Sequence, residues 1–346
     1  MGKELCKPLQ GIRFVCFLAI FFYHCGFKAF SLGWGAVEVF FVISGFFTFQ
    51  KLSRSNVSYG MIIKKRVSRL FSDYLPILAV VALMYTVYKR SFLLTDTAAY
   101  ALGLQNFFWL ITRQPGLAGM MAHTWTIGIE LDALLLICLL AFLCGKTRRH
   151  VPVILTAVSL AYILTVPFIT NDVFAYSLSP IPHLFAFGIG GLFYEYRHHK
   201  VSDKVFAVCP YIGIALIAYM AITVGLEGIA SASPDALLGS RYVCLIYPAL
   251  AFIGVGLLRF SYHPARRKIS SRLAAALSSK YLVWLGGLSF ALYLCHYPVI
   301  TVCRVLISNA YIMAAVSLAL TMLSAMIYTR IINVIKRRFK KTPPSP

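Results

Sequence analysis

Arg13 and His24 stand in one apolar run, IRFVCFLAIFFYHCGF, at residues 12–27. An eleven-residue step along an α-helix turns through about 1100°, roughly 20° past three full turns, and rises about 16 Å. The two side chains therefore share a face, with Arg13 toward one end and His24 toward the other. Ionisable groups in such a run are costly, and they usually face a bundle interior or a pathway. Three further apolar runs each carry one: Glu38 in WGAVEVFFVISGFF, Glu130 in HTWTIGIELDALLL and His296 in LGGLSFALYLCHYPVI. Taken singly, each is open to a bland reading, an interhelical hydrogen bond for the histidines and carboxylates or snorkelling for Arg13. Together they make a set suited to acyl transfer. An imidazole serves as base or nucleophile, a carboxylate orients it, and arginines hold an anionic donor.

The elements that must position these residues are membrane helices. Of the 346 residues, 60% are hydrophobic and only 13% are charged. A soluble core does not need so much apolar surface, and several runs approach the roughly 20 residues that span a bilayer. A membrane β-barrel would show short alternating segments instead. The expected fold is an all-α polytopic bundle of about ten spans, near 9–30, 34–50, 73–89, 126–144, 151–168, 180–196, 205–225, 240–259, 282–303 and 310–334. The first apolar run lacks a small-x-small cleavage site after it, so it is expected to be a retained span. The nine cysteines fall mostly in apolar runs without a CxxC pair, and neither a disulfide framework nor a metal site is expected.

The net charge of +22 raises nucleic acid as a partner, but its distribution excludes that reading. With the N-terminus inside, 24 Lys and Arg fall on the cytoplasmic side, six on the outer side (Lys28, Lys89, Arg90, Arg113, Arg241 and Arg304) and three (Arg13, Arg259 and Arg330) within spans. This is the positive-inside pattern, and it predicts that both termini are cytoplasmic. Orientation and lipid headgroup contact account for most of the basic residues. The loops are short, so one membrane domain is expected over 1–341, followed by a disordered tail at 342–346. The longest outer stretch is 90–125. Within it AAYALGLQNFFWLI (98–111) is apolar but short for a span, which predicts a re-entrant or interfacial helix over a cavity mouth. Residues 51–72 and 260–280 read as basic cytoplasmic segments, and neither an internal repeat nor an inverted pair of broken helices is evident.

The ordered motifs resemble the membrane acyltransferase 3 family. That family is marked by an Arg, ten residues and a His in the first span, here Arg13 and His24. GAVEVFFVISGFF is similar to its second-span signature, with Glu38 at the acidic position and Ser44-Gly45-Phe46 following. IIKKRVSRLFSDYLPIL resembles its basic loop into the third span and places Arg66, Arg69 and Tyr74. HTWTIGIEL resembles a Trp-Ser-Leu-x-x-Glu segment and places Trp125 and Glu130, with Thr126 standing where the family has Ser. LGGLSFALYLCHYPV resembles a late Ser-aromatic-x-x-Tyr-Leu-x-His segment and places Ser289, Phe290, Tyr293 and His296. Asp132 lies about 200° around the helix from Glu130, so a two-carboxylate site in that segment is not expected. Some relatives carry an appended extracytoplasmic esterase-like domain, and none is expected here.

The resemblance implies an O-acetyltransferase in a bacterial inner or plasma membrane. It implies acetyl-CoA as co-substrate, no permanently bound cofactor, and a hydroxyl acceptor on a surface glycan or lipid-linked sugar. Membrane lipids and glycan assembly proteins are the remaining candidate partners. Arg66, Arg69 and Arg13 are the donor-binding candidates, since coenzyme A brings phosphates. His24 is the candidate base or acetyl carrier, with Glu38 or Glu130 to orient it. Trp125, Tyr293 and His296 are candidates to line the acceptor pocket. Two other classes share some of these features. A transporter or flippase with a proton-linked His/Glu pathway would not need an arginine pair for a phosphorylated donor, and a non-catalytic partner of a glycan polymerase would not bind acetyl-CoA.

Overall fold

The computed structural model describes residues 7–54, 58–90, 93–169, 172, 176–224, 245–262 and 268–341. The expected tail at 342–346 lies outside them, as do 55–57 of the first basic segment, 225 of the seventh expected span, 240–244 of the eighth and 263–267 of the second basic segment. The described residues are helical and contain no strand. In chain order the α-helices are α1 (Lys7–His24), α2 (Ala36–Leu52), α3 (Tyr59–Lys89), α4 (Leu94–Ala101), α5 (Gln105–Thr112), α6 (Trp125–Cys144), α7 (Val151–Ile169), α8 (Pro180–Tyr196), α9 (Lys200–Val224), α10 (Ile246–Tyr262), α11 (Lys268–Leu277), α12 (Lys280–Gly287), α13 (Ser289–Leu306) and α14 (Ala310–Lys341).

Six stretches among the described residues are long and apolar enough to cross a bilayer: Lys28–Leu52, Tyr59–Lys89, Ala122–Val166, Lys200–Thr223, Ser289–Leu306 and Ala310–Arg337. The exterior is correspondingly apolar. Leu83 and Val87 on α3, Leu164 on α7, Ile214 and Ile222 on α9, and Ile312 and Leu323 on α14 are all exposed, as lipid-facing residues are. The protein is a multi-pass membrane protein.

α1 sits between two apolar clusters. Leu9, Ile12, Cys16 and Ile20 join the cluster built from α2, α6, α7, α8 and α10, while Phe14, Phe17 and Phe21 pack with Leu292, Ile300 and Met313 of α13 and α14. α2 packs most extensively on α8 and also on α10. The α2–α8 contact is backbone to backbone. A Cβ at Gly45 would collide with the Phe187 carbonyl, and one at Gly190 with the Val42 carbonyl. This close approach explains the glycine that follows Ser44 in the second-span motif.

Two expectations need correction. The basic segment 51–72 is not a loop before a span at 73–89. The helix α3 runs unbroken over 31 residues from Tyr59, and Ser58 caps it by accepting a hydrogen bond from the Met61 amide at 3.3 Å. Its basic residues read as loop, but Arg66 is buried in the bundle, where a carboxylate compensates it. The expected single span at 282–303 is broken between α12 and α13 at Leu288, immediately after a Gly-Gly pair.

Candidate functional site

α1 ends where its sequence demands. Gly26 takes a positive φ of 86°, which costs glycine little. The Gly26 amide donates to the Tyr23 carbonyl at 2.9 Å and the Phe27 amide to the Phe22 carbonyl at 3.2 Å. This pairing is a Schellman cap, and the Phe22–Phe27 ring contact at 5.8 Å supplies its usual apolar clasp. His24 is thereby the last helical residue. Arg304 of α13 donates to its backbone carbonyl at 2.5 Å.

His24 lines a cavity of about 300 Å³. The other walls are Trp34 just before α2, Trp109 of α5, His123 and Trp125 at the start of α6, Ser177 and Leu178 before α8, Tyr247 at the start of α10, and Tyr293 and Tyr297 of α13. The cavity thus lies at one end of the bundle, where α1 finishes and α2, α6, α8 and α10 begin. Helix N-termini carry partial positive charge, so four of them around one chamber favour an anion or a developing oxyanion there. The apolar stretch 98–111 contributes to the roof. It forms two short helices broken at Gly103, whose φ is +76°. α5 is pinned by Gln105, donating to the Thr124 carbonyl at 2.8 Å, and by Asn106, donating to the Leu178 carbonyl at 3.3 Å.

Three imidazoles meet beside the cavity. The His24 and His296 ring centroids are 5.2 Å apart, and those of His123 and His296 are 5.0 Å apart. His296 Nδ1 donates to the Tyr293 carbonyl at 2.5 Å, which leaves Nε2 as the unprotonated nitrogen of a neutral ring. Tyr293 donates its hydroxyl proton to the His123 carbonyl and receives one from Thr126 at 2.9 Å. The threonine at this position keeps the hydroxyl that a serine would supply.

Deeper in the bundle lies a second centre. Arg66 donates to Glu130 and to the Ser44 hydroxyl, and Ser44 lies 3.2 Å from the same Glu130 oxygen. Arg66 is 9% exposed and Glu130 20%. Arg13 and Arg69 come close enough to Glu130 to interact with its charge, and Lys51 does so as well. Arg13 donates to Gln10 at 3.2 Å. Four cations around Glu130, with Asp73 also acting on Arg69, leave a net positive site.

The structure therefore brings Arg13, Arg66, Arg69 and Glu130 together at one level, and His24, Trp125, Tyr293 and His296 at the other. Among the described residues it does not bring a carboxylate to His24. Glu38, proposed from sequence as one candidate to orient that ring, pairs with a different imidazole. His183 Nδ1 lies 2.5 Å from Glu38 Oε1, and both residues are buried. Glu130, the other candidate, is occupied by Arg66. Sequence reasoning passed over His123 and His183. His123 sits inside the quoted HTWTIGIEL motif and was available there, whereas His183 gives no local signal.

Fold and site together define a multi-pass helical bundle with a buried cationic centre and a histidine-lined chamber. Comparison with known sequences narrows this. Residues 8–331 match the acyltransferase domain family, and the chain belongs to that family. The chain is also similar to the O-acetyltransferase OatA of Staphylococcus aureus strains NCTC 8325 / PS 47, COL and MRSA252. Each is 24% identical over 360 residues, covering 97% of this chain and 56% of the relative. The chain thus spans about half the length of the curated relatives it matches. No solved structure matches it.

Proposed function

We propose that this chain is an integral membrane O-acetyltransferase that moves an acetyl group from cytoplasmic acetyl-CoA to a hydroxyl of a cell-surface or lipid-linked glycan. In this reading ten helices (α1, α2, α3, α6, α7, α8, α9, α10, α13 and α14) cross the bilayer and both termini are cytoplasmic. The charge asymmetry and the alternation of long helices with short connections support that topology.

What carries the reading is α1. Its Arg13 end stands among Arg66, Arg69 and Glu130, and its His24 end, on the same face, lines the cavity. The coenzyme A phosphates bind Arg13, Arg66 and Arg69, with Glu130 holding Arg66 in place. The slim pantetheine arm then extends along α1 and delivers the thioester to His24. The acceptor lies against Trp125 and Tyr293, and its hydroxyl oxygen attacks the thioester carbonyl. The hydroxyl proton passes to His24 directly, or His24 first carries the acetyl group as an acyl-imidazole; both routes release the coenzyme A thiol. The helix N-termini around the chamber stabilise the tetrahedral oxyanion. His296 packs against His24 and confines its ring.

A chamber of about 300 Å³ is at the small end of the roughly 300–1,000 Å³ typical of small-molecule sites, which favours one terminal sugar over an internal stretch of polymer. The test is direct. Purified protein is given labelled acetyl-CoA with and without soluble glycosides. Acceptor-dependent thiol release with label on the glycoside supports the assignment, and absence of both removes it.

A further inference from the structure

His183 is a buried polar residue that the proposed chemistry does not use. It is fully buried, and four separate segments meet its ring. Nε2 lies 3.0 Å from the Ser177 carbonyl. A carbonyl only accepts, so Nε2 carries a proton. Nδ1 meets Glu38 Oε1 at 2.5 Å. A bare nitrogen lone pair facing a carboxylate would repel it, so this contact also holds a proton. The pair is net neutral whether that proton sits on the ring or on the carboxyl, which makes its burial tolerable.

The neighbours of His183 give this pair a task. Its ring lies 5.2 Å from Trp125 and 4.9 Å from Tyr247, the latter edge-on at 88°. Phe41 closes a further side at 5.5 Å. Trp125, Tyr247 and Ser177 each line the cavity, and they belong to the wall built by α6, α10 and the segment before α8. His183 itself stands behind that wall. It reaches neither His24 nor the Arg66–Glu130 centre.

We infer that Glu38 and His183 form a positioning pair that fixes the acceptor-receiving wall of the cavity, and that it governs acceptor affinity without taking part in donor binding or in the chemistry at His24. This inference rests on the O-acetyltransferase reading for its acceptor, a sugar ring, but its first readout does not depend on turnover. Glu38 then has a different role from the carboxylate that would orient the His24 ring. The pair locks one imidazole through both nitrogens, and that imidazole sets the angles of Trp125 and Tyr247.

The experiment uses the full chain in detergent and a panel of single-ring probes: methyl glucoside, methyl galactoside and methyl N-acetylglucosaminide. Three of the four tryptophans, Trp34, Trp109 and Trp125, line the cavity, so a bound sugar is read by intrinsic fluorescence. His183→Ala and Glu38→Ala are expected to weaken glycoside binding by about tenfold or more, the scale of one lost buried hydrogen bond. Their KM for acceptor rises by the same factor, while KM for acetyl-CoA and coenzyme A affinity stay within about threefold of the parent. Glu38→Gln fits the same space and can still hold Nδ1 by donating its amide, so it is expected to restore binding to within about threefold. Retained coenzyme A binding shows that a variant is folded; should His183→Ala fail to fold, the Glu38→Ala and Glu38→Gln pair carries the same comparison.

Three results overturn the inference. One is Glu38→Gln losing activity as completely as Glu38→Ala while glycoside binding persists, because the pair would then be moving a proton in the reaction. Another is an unchanged acceptor KM in the alanine variants. The third is failure of every glycoside to bind the parent, since the wall would then not receive a sugar. Failure of the acyltransferase reading looks different: glycosides bind the parent and the variants weaken that binding, but acetyl-CoA is never consumed.

Discussion

The two ends of α1 meet opposite kinds of surroundings. Around Arg13 the bundle gathers charge, with Arg66, Arg69 and Lys51 about the carboxylate of Glu130. Around His24 it gathers rings, with the imidazoles of His123 and His296 and the side chains of Trp125, Tyr293 and Tyr297. The first arrangement suits a ligand that brings several negative charges and needs no close shape match. The second suits a small ligand with apolar faces and a few hydroxyls, held by stacking and hydrogen bonds. One straight helix joins the two, so a donor with a charged head and a thin arm can lie along it. On the proposed reading, binding strength and chemical reactivity are placed apart, about 16 Å along α1, and should respond separately to substitution.

The largest expected effect breaks the aromatic end. His24→Ala should lower kcat by about 10²–10⁴-fold, the usual contribution of a general base, with acetyl-CoA binding retained. Measured thiol release from acetyl-CoA in a variant that still binds coenzyme A checks it. A near-normal kcat would take His24 out of the chemistry and leave the cavity as a binding site alone.

Next comes the charged end. Arg66→Ala strands Glu130 in the bundle, and removing one partner of a buried pair typically costs about 3–5 kcal/mol. Thermal unfolding in detergent should therefore show a marked drop, and the double variant Arg66→Ala/Glu130→Ala should recover part of it. Coenzyme A binding should be lost in both, because the recovered protein still lacks the phosphate-binding guanidinium. Full binding in the double variant would make the pair purely structural.

Arg69 should show a smaller and cleaner effect, since it is not hydrogen-bonded to Glu130. Arg69→Ala should raise KM for acetyl-CoA by about tenfold with little change in kcat, as expected for a contact made equally in ground and transition states. Arg69→Lys should recover only part of this, because a point charge does not replace a forked donor. An unchanged donor KM in both would reduce Arg69 to an orientation signal.

The mildest effect belongs to the roof. Trp109→Ala removes one ring from the chamber, and an aromatic contact is worth about 0.5–1.5 kcal/mol beyond the area it buries. Acceptor KM should rise a few-fold while coenzyme A affinity stays the same. A change in donor KM instead would mean that the donor arm reaches the roof.

Much of this division can be read along the chain, because it depends on spacing within single helices. The Arg13–His24 step and the Trp125–Glu130 step need only the helix rise and the family motifs. Three features could not be read that way. The Glu38–His183 contact joins residues 145 positions apart, and helical periodicity carries no information on which helices touch. The length of α3 was hidden because its buried arginine looks like the basic loop residues beside it; only the facing carboxylate of Glu130 makes Arg66 tolerable inside. The break at Leu288 rests on Gly286 and Gly287 lying in a run apolar enough to continue as one span. For the first two the missing information was the identity of the neighbouring helix.

The most direct test of the separation along α1 is sidedness. Sealed proteoliposomes with the protein in one orientation receive acetyl-CoA only on the face where Arg69 and the basic ends of α3 and α14 emerge, and methyl glycoside acceptor only on the opposite face. Acetylated glycoside should appear on the far side, with coenzyme A released on the near side. Transfer that occurs only when both substrates share one face would contradict a donor site and an acceptor chamber at opposite ends of the same helix.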